Sequence, residues 1–204
     1  MRSIAFLSQK GGSGKTTLAV HIAVAAEALG ERVTIIDTDP QGSVMAWRQT
    51  RTSDRPHTVS ATPSTLRRII DSTRHDETLI VIDTAPHLQP GTSTIVAQAD
   101  VLLIPCRPSA FDLATIPSSV QIARAVGKPT AFILNACPAR APEVRETRDV
   151  LETYDIPVAP MIIGERRAFA RAIASGRAVT EFDAKGRAAQ EVIALWQWLI
   201  DQGL

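Results

Sequence analysis

Five short runs of this chain are apolar almost throughout, and they limit its fold more tightly than any other feature. They are Ser3–Ser8, Arg32–Ile36, Thr78–Ile82, Val101–Pro105 and Thr130–Leu134. Runs of this length without polar alternation suit strands buried on both faces, as in a parallel sheet covered by helices. Ile156–Ala159 is a candidate for one more short strand. Between the runs lie Thr16–Leu29, Gly42–Arg51, Ser64–Thr73, Asp112–Val126, Pro142–Thr153 and Ala188–Ile200. These carry apolar residues at three- and four-residue spacing, as in Leu66, Ile69 and Ile70. Thr62-Pro63 and Ala141-Pro142 mark two helix starts. The alternation predicts an α/β, three-layer α/β/α arrangement with a mostly parallel sheet and right-handed crossovers. Ligands of such sheets sit at the carboxyl ends of the strands. The residues just after each run are therefore the informative ones.

The 204 residues are 45% hydrophobic, with no linker-like stretch, so one domain over 1–204 is expected. A net charge of +1 means that any basic surface must be local. Cys106 and Cys137 stand in no C-x-x-C spacing, which argues against a disulfide framework or a zinc site and for two small buried residues. The start MRSIAFLSQKGG lacks the pattern of a signal peptide. No apolar run approaches the ~20 residues that span a bilayer. The expectation is a cytoplasmic protein.

The first run leads straight into Gln9-Lys10-Gly11-Gly12-Ser13-Gly14-Lys15-Thr16-Thr17, and a helical pattern follows. Strand, glycine-rich turn and helix are the setting of a phosphate-binding loop. Main-chain N–H groups there can cradle an anion, and the helix adds the positive end of its dipole. Lys15 would reach the β- and γ-phosphates and Thr16 would bind Mg²⁺. The standard pattern needs a glycine where Gln9 stands, and this chain has an additional lysine, Lys10, five residues before Lys15.

With K-G-G-S-G-K-T-T, the chain resembles the ParA/MinD superfamily, whose deviant Walker A motif is K-G-G-x-G-K-[ST]. Three more stretches carry the resemblance. Asp37-Thr38-Asp39-Pro40-Gln41 is like the D-x-D-P-Q of ParA-type ATPases, and Gly42, Ser43 and Trp47 extend it. Asp83-Thr84-Ala85-Pro86 is like the Walker B region, with Ala85 where a second proline or a glycine is common. Pro105-Cys106-Arg107-Pro108-Ser109-Ala110-Phe111-Asp112 is like P-x-x-P-S-x-x-D. The likeness covers essentially the whole chain in order and is strongest to the short plasmid-partition ParA proteins that lack an N-terminal helix-turn-helix domain.

The resemblance implies a P-loop NTPase fold, with ATP and Mg²⁺ as cofactors. It implies that Gly11, Gly12, Ser13, Gly14, Lys15, Thr16 and Thr17 hold the phosphates. Lys10 would reach across an ATP-dependent homodimer to the partner's ATP, and Asp39 would orient the attacking water. Asp37 and Asp83 would join Thr16 in the magnesium shell. A carboxylate ending a buried strand, as Asp83 does, needs a partner or a metal in any case. Asn135, just after the Thr130–Leu134 run, would read the adenine edge, with Ile162 to Arg166 lining the base from the other side.

Between Glu165 and Arg187 lie Arg166, Arg167, Arg171, Arg177, Lys185 and Arg187, against Glu165, Glu181 and Asp183. By the resemblance, this segment belongs to a surface that binds nucleoid DNA without sequence preference. The leading expectation is therefore a plasmid-partition ATPase released from DNA by a small centromere-binding, ParB- or ParG-like adaptor. A second is the same engine positioning a protein organelle or chemoreceptor cluster. A third is a MinD-like membrane-positioning ATPase. The end EVIALWQWLIDQGL has Glu191 and Asp201 but no Lys or Arg, so its Ile193, Leu195, Trp196 and Leu199 read as core rather than membrane contacts. A kinase or ligase would need an acceptor constellation, which the sequence does not display. Nitrogenase-like electron transfer would need cluster cysteines.

Overall fold

The computed structural model describes residues 2–73, 78–86 and 91–203. Its elements run β1 (Arg2–Phe6), α1 (Lys15–Ala28), β2 (Val33–Asp37), α2 (Ser43–Thr50), β3 (His57–Ser60), α3 (Pro63–Thr73), β4 (Leu79–Asp83) and α4 (Thr92–Val96). They continue with β5 (Val101–Cys106), α5 (Ala110–Leu113), α6 (Ile116–Val126), β6 (Thr130–Leu134), α7 (Glu143–Glu152), α8 (Arg167–Ala174), α9 (Val179–Phe182) and α10 (Arg187–Asp201). The strands form one sheet in the order β3-β2-β4-β1-β5-β6, with every pairing parallel.

Side chains alternate across a strand, and here the alternation sorts them into two cores. Ile4, Phe6, Ile35, Val81, Leu103 and Ile133 pack with α1, α2, α8, α9 and α10. Ala5, Leu7, Ile36, Ile80, Ile82, Leu102 and Phe132 pack with α3, α4, α6 and α7. This is the three-layer α/β/α arrangement expected.

Three local expectations change. Ile156–Ala159 forms only an isolated bridge, Phe132 with Val158, because Pro157 and Pro160 have no N–H for a ladder. The unexpected strand is His57–Ser60, a half-exposed edge strand paired only with β2, so its sequence lacks the apolar run of its neighbours. The predicted helix Asp112–Val126 is split into α5 and α6, with Pro117 in the first turn of α6. A proline there would clash with the carbonyl four residues back if the helix were continuous.

In α10, Val192, Leu195, Trp196 and Leu199 are buried and Ile193 and Trp198 half-buried. Among the described residues, no helix is long and apolar enough to cross a membrane. Both cysteines are buried, and burial pushes their thiols up to about 12 for Cys106 and about 11 for Cys137. Neither is a thiolate at neutral pH.

Candidate functional site

Strand order reverses around β1, and the loop after β1 opens between the carboxyl ends of its neighbours β4 and β5. That is where an open α/β sheet binds ligands. Gly12 and Gly14 have φ of +77° and +97°, and Gly14 is the residue from which α1 starts. A Cβ on Gly14 would collide with the Asn135 side-chain amide. The tight turn thus comes from glycine and the tight fit from Asn135.

Lys15, the first residue of α1, is 6% exposed, and its Nζ lies 3.4 Å from the Lys10 carbonyl oxygen. Burial lowers its pKa, opposed by the charges of Asp83 and Asp39. Thr16 Oγ1 donates to Asp83 Oδ2 at 2.6 Å. Asp83 is fully buried, and its Oδ1 has no hydrogen-bond partner. Burial raises its pKa to about 7, against the Thr16 hydrogen bond. A buried carboxylate with an orphaned oxygen beside a hydroxyl suits a cation that also takes phosphate oxygens and water. Mg²⁺ is commonly held by one or two carboxylates plus substrate phosphates rather than by an all-protein cage. Accordingly, no cluster of three or more His, Cys, Asp or Glu suited to a metal occurs among the described residues.

Asp37 is placed differently from the expectation of a magnesium-shell residue. Its Oδ1 accepts the Asp39 N–H at 3.1 Å, and its Oδ2 accepts the N–H groups of Val44 and Met45 at 3.1 and 3.3 Å. Both oxygens are engaged by main chain, so this carboxylate shapes the turn that carries Asp39 and fastens the start of α2. Burial raises its pKa, with those three amides opposing. Asp39 is half-buried, and its Oδ1 accepts the Gln41 N–H at 2.9 Å. A cleft of 270 Å³ brings Asp39 together with Gly11, Gly12, Gly14, Lys15, Thr16 and Thr17. Ser13 is buried just behind it, and its carbonyl accepts the Asn135 Nδ2–H at 2.7 Å.

Lys10 stands on the rim. Its Nζ makes an ion pair with Asp112 and lies 5.9 Å from the Phe111 ring centre. Ser109 Oγ donates to the same Asp112 oxygen at 2.6 Å and also receives the Asp112 N–H, which fixes the start of α5. Asp112 was visible in the sequence as the end of P-x-x-P-S-x-x-D, but no role could be read from it there.

On the far side of the loop, a cleft of 290 Å³ is lined by Gly12, Gly14, Thr17, Asn135, Gly164 and Glu165, together with Arg107, Arg166 and Phe169. The segment from Ile163 to Glu165 is held against Cys137 by two main-chain hydrogen bonds of 2.9 and 2.8 Å. Asn135 lines this cleft, and its amide donor is directed at the phosphate loop. Arg107 fills a variable position of P-x-x-P-S-x-x-D and Phe169 lies in no motif, so neither could be singled out from the sequence. A third cleft, of 440 Å³, lies beside Asp39, with Met45, Thr62, Thr65, Thr92 and Ile95 in its wall. Among the described residues, Asp37 and Asp39 are the charged ones that line it.

The six basic residues of the C-terminal segment have different surroundings. Arg166 is bound to Glu191 through Nε at 3.1 Å and a terminal nitrogen at 2.5 Å. Arg171 and Arg177 lie over the Phe182 ring, 5.4 and 5.0 Å from its centre. Arg167, Lys185 and Arg187 are exposed.

The profile of the CobQ/CobB/MinD/ParA nucleotide binding domain matches residues 4–179. The "Maintenance of carboxysome distribution protein A" of Gloeobacter kilaueensis is 34% identical over 200 residues, covering 95% of this chain and 89% of that protein. The ParA protein of Rhizobium radiobacter is 30% identical over 126 residues, covering 60% of this chain and 56% of that protein. The septum site-determining protein MinD of Pyrococcus horikoshii, solved with Mg-ADP, shares the fold. Its TM-score is 0.79 at 19% identity, over 97% of this chain and 95% of that one.

Proposed function

The chain belongs to the CobQ/CobB/MinD/ParA nucleotide-binding family, and from that premise we propose that it is a magnesium-dependent ATPase that dimerises around ATP and positions a cargo over DNA. The observation that carries this reading is the cleft that joins Lys15, Thr16 and Asp39, with Asp83 hydrogen-bonded to Thr16 and Lys10 on the rim. The amides of Gly11 to Thr17 and the Lys15 ammonium hold the β- and γ-phosphates. Thr16 and Asp83 would hold the metal, which would supply charge neutralisation to the phosphates. Asp39, fixed by the Asp37 turn, orients water for attack on the γ-phosphorus. Lys10 leaves Asp112 and meets the partner's γ-phosphate, a cation supplied in trans like an arginine finger.

Gel filtration with ATP against ADP, combined with turnover, tests this. Asp39→Ala should form an ATP dimer yet hydrolyse at least ~100-fold more slowly, the lower end of a general-base contribution. Lys10→Ala should lose both dimer and turnover. Wild-type turnover by Asp39→Ala, or an ATP dimer that ignores loss of Lys10, sinks the reading.

The cargo has two readings. Likeness to ParA supports plasmid DNA handed over by a centromere-binding adaptor. Likeness to a carboxysome-distribution protein over nearly the full length of both chains supports a protein body. Purification of the adaptor decides between them: specific binding of a repeated DNA site supports the first, and binding to a protein assembly the second. The membrane reading loses support because most of the apolar face of α10 is spent in the core.

A further inference from the structure

Asp39 faces the same cleft as Lys15 and Thr16, but from a different element. Lys15 and Thr16 begin α1. Asp39 belongs to the start of α2. Its carbonyl accepts the Gly42 N–H at 2.9 Å and its Oδ1 the Gln41 N–H at 2.9 Å, and Asp37 binds both the Asp39 N–H and the N–H groups of Val44 and Met45. Val44 and Trp47 of α2 share an apolar core with α1. Apolar contact is non-directional, and it fixes the stand-off of a helix less sharply than hydrogen bonds do. An attacking water needs tighter control than that, since a misplacement of about 1 Å can cost ~100-fold in rate.

The far end of α2 is fastened by polar groups. Arg51, directly after the helix, has a side chain only 4% exposed. Its guanidinium lies over the Trp47 ring and donates to the Gly176 carbonyl at 3.0 Å and to both Glu181 carboxylate oxygens at 2.8 and 2.7 Å. Trp47 Nε1 adds a bond to the Arg177 carbonyl at 3.3 Å. A Cβ on Gly176 would strike the main chain of Thr50 and Arg51, so the two backbones meet closely there. Glu181 also accepts the Ala178 N–H at 2.9 Å, which holds the 176–181 segment in one shape. That segment is fixed in turn to α1, where the buried His21 accepts the Val179 N–H through Nδ1 at 3.1 Å. Thus α2 reaches α1 by a second, polar route. An ion pair this buried adds little stability that apolar side chains could not supply. What it supplies is direction, because the planar guanidinium meets a carboxylate in a fixed fork.

We propose that Arg51 and Trp47 are positioning residues of the ATPase: by pinning the end of α2 to the 176–181 segment, and through it to α1, they set Asp39 at its distance from the phosphates held by Lys15 and Thr16. The inference rests on the reading of Asp39 as the group that orients water. A loosened joint lets α2 shift and spoils the alignment of that water. The phosphate loop, built on α1 and its own backbone, still binds nucleotide. The loss therefore falls on turnover and not on affinity.

The test measures turnover of radiolabelled ATP per bound nucleotide, and affinity for a non-hydrolysable ATP analogue, for Glu181→Gln and Trp47→Phe, each alone and together with Asp39→Ala. Glu181→Gln should slow turnover ~10-fold, as a shift of a fraction of an ångström would, with analogue affinity within about twofold of wild type. Trp47→Phe keeps a ring over Arg51 and removes one hydrogen bond. It should slow turnover about threefold, and it carries the test alone if Glu181→Gln does not fold. With Asp39→Ala already present, neither change should slow turnover further, because a residue that acts through Asp39 then has nothing left to position. Wild-type turnover per bound nucleotide in the folded variants overturns the inference and leaves the joint a purely structural one. A matching loss of analogue affinity overturns it too, as does a loss of turnover that persists undiminished beside Asp39→Ala. If Asp39→Ala itself turns over like wild type, the reading of Asp39 falls first, and the inference with it.

Discussion

In the proposed phosphate loop the main chain would do most of the binding, whereas in the segment from Glu165 to Arg187 only side chains could. The loop presents its N–H groups through the φ of Gly12 and Gly14, and the lysine that matters most, Lys15, is buried in place. Its chemistry is written in nine consecutive residues. In the basic segment each arginine is free to find another use, and several do. Arg166 is spent on Glu191, and Arg171 and Arg177 share the face of Phe182. The lesson is that a charge count says little about where each side chain ends up, while a glycine-rich motif fixes the main-chain geometry of its own loop. His21 ties the two regions together: it sits in α1, its Nδ1 accepts the Val179 N–H at 3.1 Å, and its ring meets Phe169 edge-on at 5.0 Å.

The comparison is open to attack at four points. The largest effect is expected at Gly14. Gly14→Ala adds one methyl, but at φ +97° and against Asn135, so calorimetry should show ATP affinity reduced by roughly 100-fold, as when preorganised anion donors are displaced. Near-normal ATP binding would mean that side chains, not the backbone turn, form the cradle.

Next is Glu181→Ala, which strands buried Arg51. Because Glu181 keeps a third of its side chain in water, the loss should be about 3 kcal/mol in urea unfolding, the low end for breaking a buried pair. A loss comparable to that of an exposed ion pair would show that the joint between the regions is not structural.

Third is the acid limb. Burial holds the His21 pKa down to about 3, against the Glu181 charge. A histidine in the unfolded chain titrates near its ordinary 6.5. Between these values the unfolded state binds more protons, so stability falls as pH drops from 6.5 towards 3. At pH 5 the loss should be about 2 kcal/mol relative to neutral pH. Urea melts of His21→Leu at pH 7 and pH 5 should lack that increment, and an unchanged acid limb would place its origin elsewhere.

The smallest effect is Arg166→Ala. Its partner Glu191 keeps the Gly164 N–H, so the loss should be about 1 kcal/mol, and DNA affinity should move less than twofold. A severalfold loss of DNA binding would return Arg166 to the DNA surface and blur the contrast between the two regions.

The sheet and most of its helices were legible because strands buried on both faces must be apolar at every position, a constraint visible over five residues. His57–Ser60 escaped because an edge strand with a half-exposed face obeys no such rule. The split between α5 and α6 was encoded by Pro117 but outweighed by a helical period running through it. In the site, Lys15, Thr16 and Asp83 could be singled out from their spacing and their places after strands, and Lys10 and Asp39 from the family resemblance.

The sequence by itself determined five of the six strands, the longer helices between them, the glycine-rich loop after β1 and the carboxylates that follow β2 and β4. Each of these rests on interactions between near neighbours or on a burial requirement that leaves a local pattern. Only the tertiary structure decided that Asp37 serves the backbone of α2, that Lys10 rests on Asp112, that Asn135 braces Ser13, and that Arg51 joins two distant loops. Those choices depend on which partner a polar side chain meets across more than a hundred residues of chain, or at the start of a neighbouring helix, and spacing carries no record of that.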